Sequence, residues 1–252
     1  MCKAFSCIIH RNRKVYWKLA IDSHVNIYKH YNLDYRNLKR EFCAIEITPR
    51  NKDYISPDEW ILKFDDDCPD WWKSSHERAC YSALEEWKKQ LYKKIHVKRL
   101  KNIINPFKLP MVKKPTKTDI NNLKEWDSVR DSVKYSFGDS WSYSVSDSVR
   151  ESVVNSVGKS VAKFVAKFVV KFVAKFVWDS DWAYIGWIFN LKRNEWRYTD
   201  EIKTKGYPFM SMIKLWKRGL IPSLDGKTWR LHSGEKAKVV YEISKGKLKK
   251  LK

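Results

Sequence analysis

Six residues in the last forty positions combine flat aromatic faces with cationic or polar donors: Trp216, Lys217, Arg218, Trp229, Arg230 and His232. Aromatic rings stack on nucleobases, and lysine and arginine side chains contact phosphates. The group therefore predicts a binding site for single-stranded nucleic acid or for a nucleotide. The alternative interpretation is that both tryptophans belong to the core of a small module and contact no ligand.

A second candidate for chemistry is Cys2, which follows the first methionine. An amino-terminal cysteine can act as a nucleophile, so an enzyme hidden in the amino-terminal module is one hypothesis. No glycine-rich loop or partner spacing accompanies it, and the alternative is a buried or merely exposed thiol. The chain has five cysteines and no Cys-x-x-Cys pair, which favours reduced thiols in a cytoplasm over disulfides or a zinc site.

Metal and cofactor sites are not expected. The acidic triplet at 65–67 has the pattern of a turn, and the histidines that could join it are not spaced as a helical i,i+4 pair: His10, His24, His30 and His76. The chain has only eight glycines, and none of them forms a loop that would cradle a phosphate.

The net charge of +22 is concentrated in two blocks: residues 183–252 contribute +11 and residues 95–126 contribute +6. Blocks of one sign indicate an anionic partner such as nucleic acid. The alternative is a solvated surface without a partner. No hydrophobic run has the length of a signal peptide or a transmembrane segment, so the expected location is the cytoplasm.

A tandem repeat with a period of four residues occupies 127–182. Its first position is serine from Ser128 to Ser160 and phenylalanine from Phe164 to Phe176, and its second position is mostly valine. The fourth position is largely acidic in the first half and is lysine from Lys159 to Lys175. Because this order suits a helix macrodipole, a helix is favoured. A β-solenoid is the alternative, since a strand period of two also divides four.

Lysines at every fourth position of a helix repel one another unless acids lie alongside them. Antiparallel pairing of two repeats would place each acidic half beside a basic half. The charge order therefore predicts self-association through 127–182, or a hairpin within one chain that folds back near Gly158.

The segments around the repeat predict an α+β protein. Residues 1–95 have the pattern of a ββαββα module, with a hairpin at 3–20, helices at 22–31 and 74–94, and strands at 41–48 and 60–64. Residues 96–126 are basic and contain three prolines, which predicts a solvated linker or, alternatively, a contact with nucleic acid or a membrane surface. Residues 183–252 predict a helix between Pro208 and Gly219, a two-stranded hairpin and a basic tail.

Several short motifs are shared with a known group of proteins. They are Lys-Ala-Phe-Ser-Cys at 3–7, Val-Tyr-Trp-Lys at 15–18, Asp-Ser-His at 22–24, Glu-Ile-Thr-Pro at 46–49, the Ser-Val-x-Asp repeats, Tyr-Pro-Phe at 207–209, Leu-Trp-Lys-Arg-Gly-Leu at 215–220 and Asp-Gly-Lys-Thr-Trp-Arg-Leu-His at 225–232. In these motifs the chain resembles an uncharacterised group of proteins from gut bacteria and their phages. The resemblance implies a setting and no mechanism, and the change from serine to phenylalanine at Phe164 departs from the usual run of serines.

Together these features predict a non-enzymatic binding or scaffold protein, encoded by a phage or mobile element, that oligomerises through its repeat. One alternative is a nucleic-acid or nucleotide-binding protein that uses the basic aromatic carboxyl-terminal module. The other is an enzyme with a cysteine nucleophile in the amino-terminal module.

Overall fold

The computed structural model describes residues 5–34, 38–53, 57–135, 145–172, 180–197, 199, 202 and 206–251. The structure combines helices with two antiparallel sheets, so the predicted α+β class is confirmed. The chain divides into two compact units. Unit 1 comprises Met1–Val97 and Val154–Phe164, and unit 2 comprises Lys98–Val153 and Val165–Lys252. This division differs from the predicted one, because the repeat is shared between the units and the expected linker belongs to unit 2.

Unit 1 is built on a four-stranded antiparallel sheet with the order β2-β1-β3-β4. The strands are β1 at Phe5–His10, β2 at Val15–Tyr16, β3 at Phe42–Pro49 and β4 at Trp60–Phe64. In the register of β1 and β3, Cys7 lies opposite Ile45 and Ile8 lies opposite Ala44. Successive residues of a strand point to opposite faces, so both faces of this apolar sheet must be covered.

Helices cover the two faces of that sheet. Helix α1 at His24–Tyr31 packs Ile27 against Ile8 and Ala44 on one face. Helix α3 at Ser74–Lys94 covers the other face, where the Trp87 ring lies 5.6 Å from the Phe5 ring. The short helix α2 at Leu38–Glu41 leads directly into β3. Unit 1 is therefore a helix–sheet–helix sandwich.

The predicted linker is wrong for most of its length. Helix α4 at Val97–Lys101 and a 3₁₀ turn at Pro106–Lys108 are followed by helix α5 at Lys117–Tyr135. Thr116 and Asp119 exchange hydrogen bonds as a reciprocal cap of α5, because the Thr116 amide donates to the Asp119 carboxylate and the Asp119 amide donates to Thr116 Oγ1. The apolar residues of this stretch are buried, as Leu100, Phe107, Leu123 and Trp126 show.

The described part of the repeat is helical and contains no strand. Helix α6 spans Val145–Val157 and helix α7 spans Lys159–Phe172, and the first repeat units extend α5. The valine stripe is the buried one, since Val149, Val153, Val165 and Val169 are each at most 1% exposed. Gly158 separates the two helices with a φ of +91°. Repeat residues 136–144 and 173–179 lie outside the described residues, and helix α8 follows at Ser180–Ile188.

The carboxyl-terminal region has three strands where two were predicted. Helix α9 at Met210–Lys217 precedes β5 at Ile221–Asp225, β6 at Thr228–Ser233 and β7 at Lys238–Ser244. Strand β5 was missed because it contains Pro222, which an edge strand tolerates. The basic tail is helical, because helix α10 occupies Lys245–Lys250.

The end of α9 follows the prediction for Gly219. Its backbone has a φ of +74°, which favours glycine. The Gly219 amide donates to the Trp216 carbonyl at 2.9 Å, and the Leu220 amide donates to the Leu215 carbonyl at 3.0 Å. These two bonds form a Schellman motif, which ends the helix and directs the chain into β5.

Two serines of the repeat hold a neighbouring backbone segment. Ser148 Oγ donates to the Arg197 carbonyl at 2.7 Å, and the Arg197 amide donates to Ser152 Oγ at 2.8 Å. Ser152 Oγ also donates to the Ser148 carbonyl at 2.8 Å, and both serines are fully buried. Two serines one helical turn apart thus form hydrogen bonds with both the carbonyl and the amide of Arg197.

The substitution Ser152→Ala should lower the free energy of unfolding by about 1–3 kcal/mol, because it removes the acceptor of the Arg197 amide. Urea denaturation of the whole chain measures this. The matched control is Ser128→Ala, an exposed serine at the same repeat position, which should change stability by less than about 0.5 kcal/mol. Equal effects of the two substitutions would show that the serine contacts with Arg197 contribute nothing.

Carboxylates on α5 hold the end of the chain. Asp131 accepts hydrogen bonds from Lys245 Nζ at 2.6 Å and from Lys249 Nζ at 3.0 Å. Asp127 lies 3.3 Å from Lys245 Nζ and accepts a hydrogen bond from Trp229 Nε1 at 2.9 Å. Although partial burial acts in the opposite direction, the two lysines lower the pKa of Asp131 below its ordinary value.

A carboxylate whose pKa is lowered by folding stabilises the protein above its unfolded pKa, and this stabilisation is lost as the pH falls through the folded value. The substitution Asp131→Asn should therefore reduce the free energy of unfolding at pH 7, by less than about 1 kcal/mol because the pair is partly solvated. The difference from the wild-type chain should shrink below about pH 4. Urea denaturation between pH 7 and pH 3 tests this, and a difference independent of pH would contradict it.

Candidate nucleic-acid interface

The two predicted tryptophans are core residues and cannot stack on a nucleobase. Trp216 is 0% exposed and Trp229 is 1% exposed. The Trp216 ring stacks on the Tyr184 ring of α8, with centroids 4.6 Å apart and planes inclined by 20°. Trp229 donates its indole N–H to buried Asp127. The predicted stacking platform is thus wrong, and the reason is that a small helix-and-sheet module fills its core with its largest side chains.

Most of the predicted polar partners are already engaged within unit 2. Arg218 lies 3.4 Å from the buried carboxylate of Asp119. Arg230 donates to Asp225 at 2.7 Å and also to Glu242. His232 contacts the Ser223 hydroxyl at 2.7 Å and the Ala237 carbonyl at 3.0 Å. An external phosphate would have to compete with these partners at Arg218 and His232, and at Arg230 it would meet two carboxylates.

Burial of the Asp119 carboxylate beside Arg218 costs hydration, and hydrogen bonds and the ion pair compensate for it. Burial opposes ionisation of Asp119, whereas hydrogen bonds from Thr116 and the pairing with Arg218 favour it, and the balance lowers the pKa of Asp119. A buried carboxylate that keeps its charge in this way requires its cation. Arg218 therefore serves the structure of unit 2.

Lys217 is the one predicted residue that faces an aromatic ring at the surface. Its Nζ lies 4.8 Å from the ring centroid of Trp187, and the guanidinium carbon of Arg99 lies 4.4 Å from the same centroid. Arg99 also donates a hydrogen bond to the Trp187 carbonyl at 2.6 Å. Trp187 and Arg99 are half-buried, and Lys217 is exposed. We call Arg99, Trp187 and Lys217 the Trp187 cluster.

Sequence reasoning missed two members of this cluster. Arg99 was assigned to a linker, and Trp187 belongs to the apolar stretch after the repeat, 88 residues further along the chain. No local pattern pairs residues so far apart. The connection is made by the segment after α4, where the Ile104 amide donates to the Tyr184 hydroxyl at 3.0 Å and holds the segment against α8.

The segments that contribute the Trp187 cluster are rich in basic residues. Residues 95–118, 183–194 and 206–224 contain twelve lysines and arginines, of which Arg218 is paired with Asp119, and no aspartate or glutamate. Partial burial lowers the pKa of Arg99, which shows that its guanidinium has lost part of its hydration. Arginine remains charged in proteins, so such a group gains from an anionic partner.

The thiol hypothesis gains no support from the described cysteines. Burial and a hydrogen bond with Cys80 raise the pKa of Cys7 well above its ordinary value. Burial and the nearby thiols Cys68 and Cys80 raise the pKa of Cys43 to about 12. Thiols that stay protonated are poor nucleophiles. Cys2 lies outside the described residues.

Unit 1 contains a cavity of about 210 Å³ between the start of β3 and the loop that follows β4. Its walls include Cys43, Cys68 and the carboxylates of Asp66, Asp67 and Asp70. Three carboxylates at the rim repel anions, so this cavity is not a second site for a phosphate. Within the described residues, no group of three or more histidine, cysteine or acidic side chains is arranged to hold a metal ion.

Comparisons of the chain with protein-family models, with curated proteins and with solved structures each gave no match. None of the helices that the structure describes combines the length and the apolar character needed to cross a bilayer.

Proposed function

We propose that this protein is a binding protein that holds single-stranded nucleic acid on the Trp187 cluster. The observation that carries the proposal is the half-buried Trp187 ring with Arg99 and Lys217 at 4.4 Å and 4.8 Å from its centroid. The guanidinium plane of Arg99, which lies over the Trp187 ring, offers a stacking face for a base, while the ammonium group of Lys217 contacts phosphate. The excess of basic residues around the cluster supplies the long-range attraction.

A single strand fits this surface better than a duplex. A base can stack on the cluster only if it is unpaired and exposed, whereas the bases of a duplex are already stacked on one another. Recognition would then depend on stacking and charge and would tolerate many sequences.

The setting of this function is also a proposal. The resemblance to proteins of gut bacteria and their phages would make the partner a nucleic acid in the cytoplasm of the bacterial host. The motifs that carry the resemblance include Leu-Trp-Lys-Arg-Gly-Leu at 215–220, which contains Lys217 of the cluster.

The double substitution Arg99→Gln and Lys217→Gln should weaken binding of the whole chain to a single-stranded oligonucleotide by about tenfold or more at about 50 mM salt. The slope of log affinity against log salt concentration should fall by roughly one for each lost phosphate contact. Fluorescence anisotropy with a labelled oligonucleotide measures both quantities.

The matched control is Lys236→Gln together with Lys238→Gln, two exposed lysines at the β6–β7 turn of the same unit. This pair removes the same charge without touching Trp187. A comparable loss of affinity in the control would mean that net charge alone drives binding. No binding by the wild-type chain at low salt would refute the proposed function.

Self-association through the repeat is a second proposal, supported by the lysine row of α7. Lys159, Lys163 and Lys167 are exposed, and no ion pair is recorded for them within the described part of the chain. Among the repeat acids that the structure describes, Asp131 binds Lys245, Asp147 binds Arg150 and Glu151 binds Arg197, while Asp139 lies outside the described residues. The acid opposite the lysine row would therefore come from outside these pairs, in a second copy of the chain.

If the lysine row binds a second copy, the wild-type chain should have a mass in solution above 30.1 kDa, and the triple substitution of Lys159, Lys163 and Lys167 by Glu should restore the mass of one chain. Light scattering measures both masses. The control changes Lys89, Lys93 and Lys236 to Glu, since these are also exposed. A monomeric wild-type chain, or an unchanged mass in the triple variant, would rule out this assembly.

A further inference from the structure

The β5–β6–β7 sheet carries polar side chains on one face that nucleic-acid binding does not use. Ser223 of β5 lies opposite Arg230 of β6 in the strand register, and His232 follows on the same face two residues later. The distance from Ser223 Oγ to His232 Nε2 is 2.7 Å. Ser223 as a whole is 8% exposed, so it is nearly enclosed.

The hydrogen bonds of His232 define which nitrogen carries the proton. Nδ1 lies 3.0 Å from the Ala237 carbonyl, and a carbonyl oxygen only accepts hydrogen bonds. In the neutral ring, Nδ1 is therefore the donor, and Nε2 presents its lone pair to the Ser223 hydroxyl. Ala237 is held by the turn after β6, where its amide donates to the Gly234 carbonyl at 2.9 Å.

This is the arrangement of an activated nucleophile: an imidazole accepts the proton of a hydroxyl, and a third group orients the imidazole. A carbonyl takes the orienting role here, where many hydrolases use a carboxylate. The third requirement of such a site is a donor for the negative charge that develops on the attacked oxygen. Arg230, opposite Ser223, is the nearest cation in the register.

Two carboxylates position the Arg230 guanidinium but do not use all of its N–H groups. Its Nη1 donates to Asp225 at 2.7 Å and its Nε donates to Glu242, so two of its N–H groups are used in the described structure. The side chain is 33% exposed, which leaves the remaining N–H groups accessible to an anion. The two carboxylates hold the guanidinium on the face that carries Ser223 and His232.

We propose that Ser223 and His232 are a catalytic nucleophile and base that hydrolyse small carboxylic esters. Ser223 Oγ attacks the ester carbonyl while its proton passes to His232 Nε2. The tetrahedral intermediate collapses, the acyl–oxygen bond of the ester breaks, and the leaving alkoxide takes that proton. Water then attacks the acyl-enzyme with His232 as its base, and the acid departs as Ser223 regains its proton.

The near enclosure of Ser223 limits the acyl group to a small one such as acetyl. Arg230 would contact the oxygen that becomes negative in both steps. This activity uses the sheet face alone and does not depend on the Trp187 cluster, so either proposal can fail without the other.

The direct test exposes the whole chain to a fluorophosphonate probe, which a nucleophilic serine attacks at phosphorus with loss of fluoride. Peptide mass spectrometry should locate the adduct on Ser223 in the native protein and find no adduct there after unfolding in urea. Hydrolysis of p-nitrophenyl acetate should be abolished by Ser223→Ala and slowed roughly 100-fold by His232→Gln, the usual scale of general-base assistance.

The control is Ser211→Ala, because the buried Ser211 hydroxyl makes no hydrogen bond in the described structure. This variant should label and hydrolyse like the wild-type chain. An absence of adduct at Ser223 in the native protein would overturn the proposal without reliance on any variant. Hydrolysis unchanged in Ser223→Ala or in His232→Gln would overturn it as well.

Discussion

The organisation of unit 2 depends on two carboxylates that α5 carries into the interior. Asp119 and Asp127 are each 1% exposed. An ionised carboxylate loses several kcal/mol of hydration on burial unless cations and hydrogen-bond donors replace the water. Thr116 and Arg218 supply the donors at Asp119, and Trp229 and Lys245 supply them at Asp127. Apart from Thr116, these partners come from the end of α9, from β6 and from α10, so two carboxylates on one helix fix the positions of three later elements.

The need to neutralise these buried carboxylates determines which cations of the carboxyl-terminal region form internal ion pairs. Arg218 and Lys245 neutralise buried acids and are no longer available to a ligand. Trp229 is drawn inward by its hydrogen bond to Asp127. Other cations, among them Arg99 and Lys217, lie around the ring of Trp187. The proposed binding surface uses this second group of cations.

Close packing around the repeat follows from its small residues. Ser148 and Ser152 let the backbone at Arg197 approach α6 closely enough for both of its polar groups to be bound. Gly186 has the same role on α8, since a Cβ atom there would lie 2.6 Å from Val149 Cγ1 and 2.9 Å from a ring carbon of Trp196. Any larger residue at Gly186 would push α8 away from α6.

Local patterns in the sequence predicted the elements that depend on local chemistry. A short apolar run gave the strand at 60–64, the amphipathic pattern gave the helix at 74–94, and Gly219 gave the end of α9. The helix at Lys117–Tyr135 had a readable signal as well, in the Thr116–Asp119 capping box and the apolar Leu123 and Trp126. It was missed because the prolines and lysines before it dominated the interpretation of that stretch.

The candidate sites could not be predicted in the same way. Burial of Trp216 and Trp229 depends on Tyr184 and Asp127, which lie far from them in sequence. The Trp187 cluster joins three segments, and the hydrogen bond between Ser223 and His232 depends on the register of two strands. Composition identified the right residue types, but only tertiary structure determines which of them face solvent.

Photo-crosslinking of the whole chain to a single-stranded oligonucleotide, followed by peptide mass spectrometry, tests most directly whether the cations around Trp187 form the binding surface. The account predicts crosslinks in residues 95–118, 183–194 and 206–224, with Trp187 itself among the modified residues. Crosslinks confined to the lysine row of α7 or to the hairpin that carries Arg230 and His232 would contradict it.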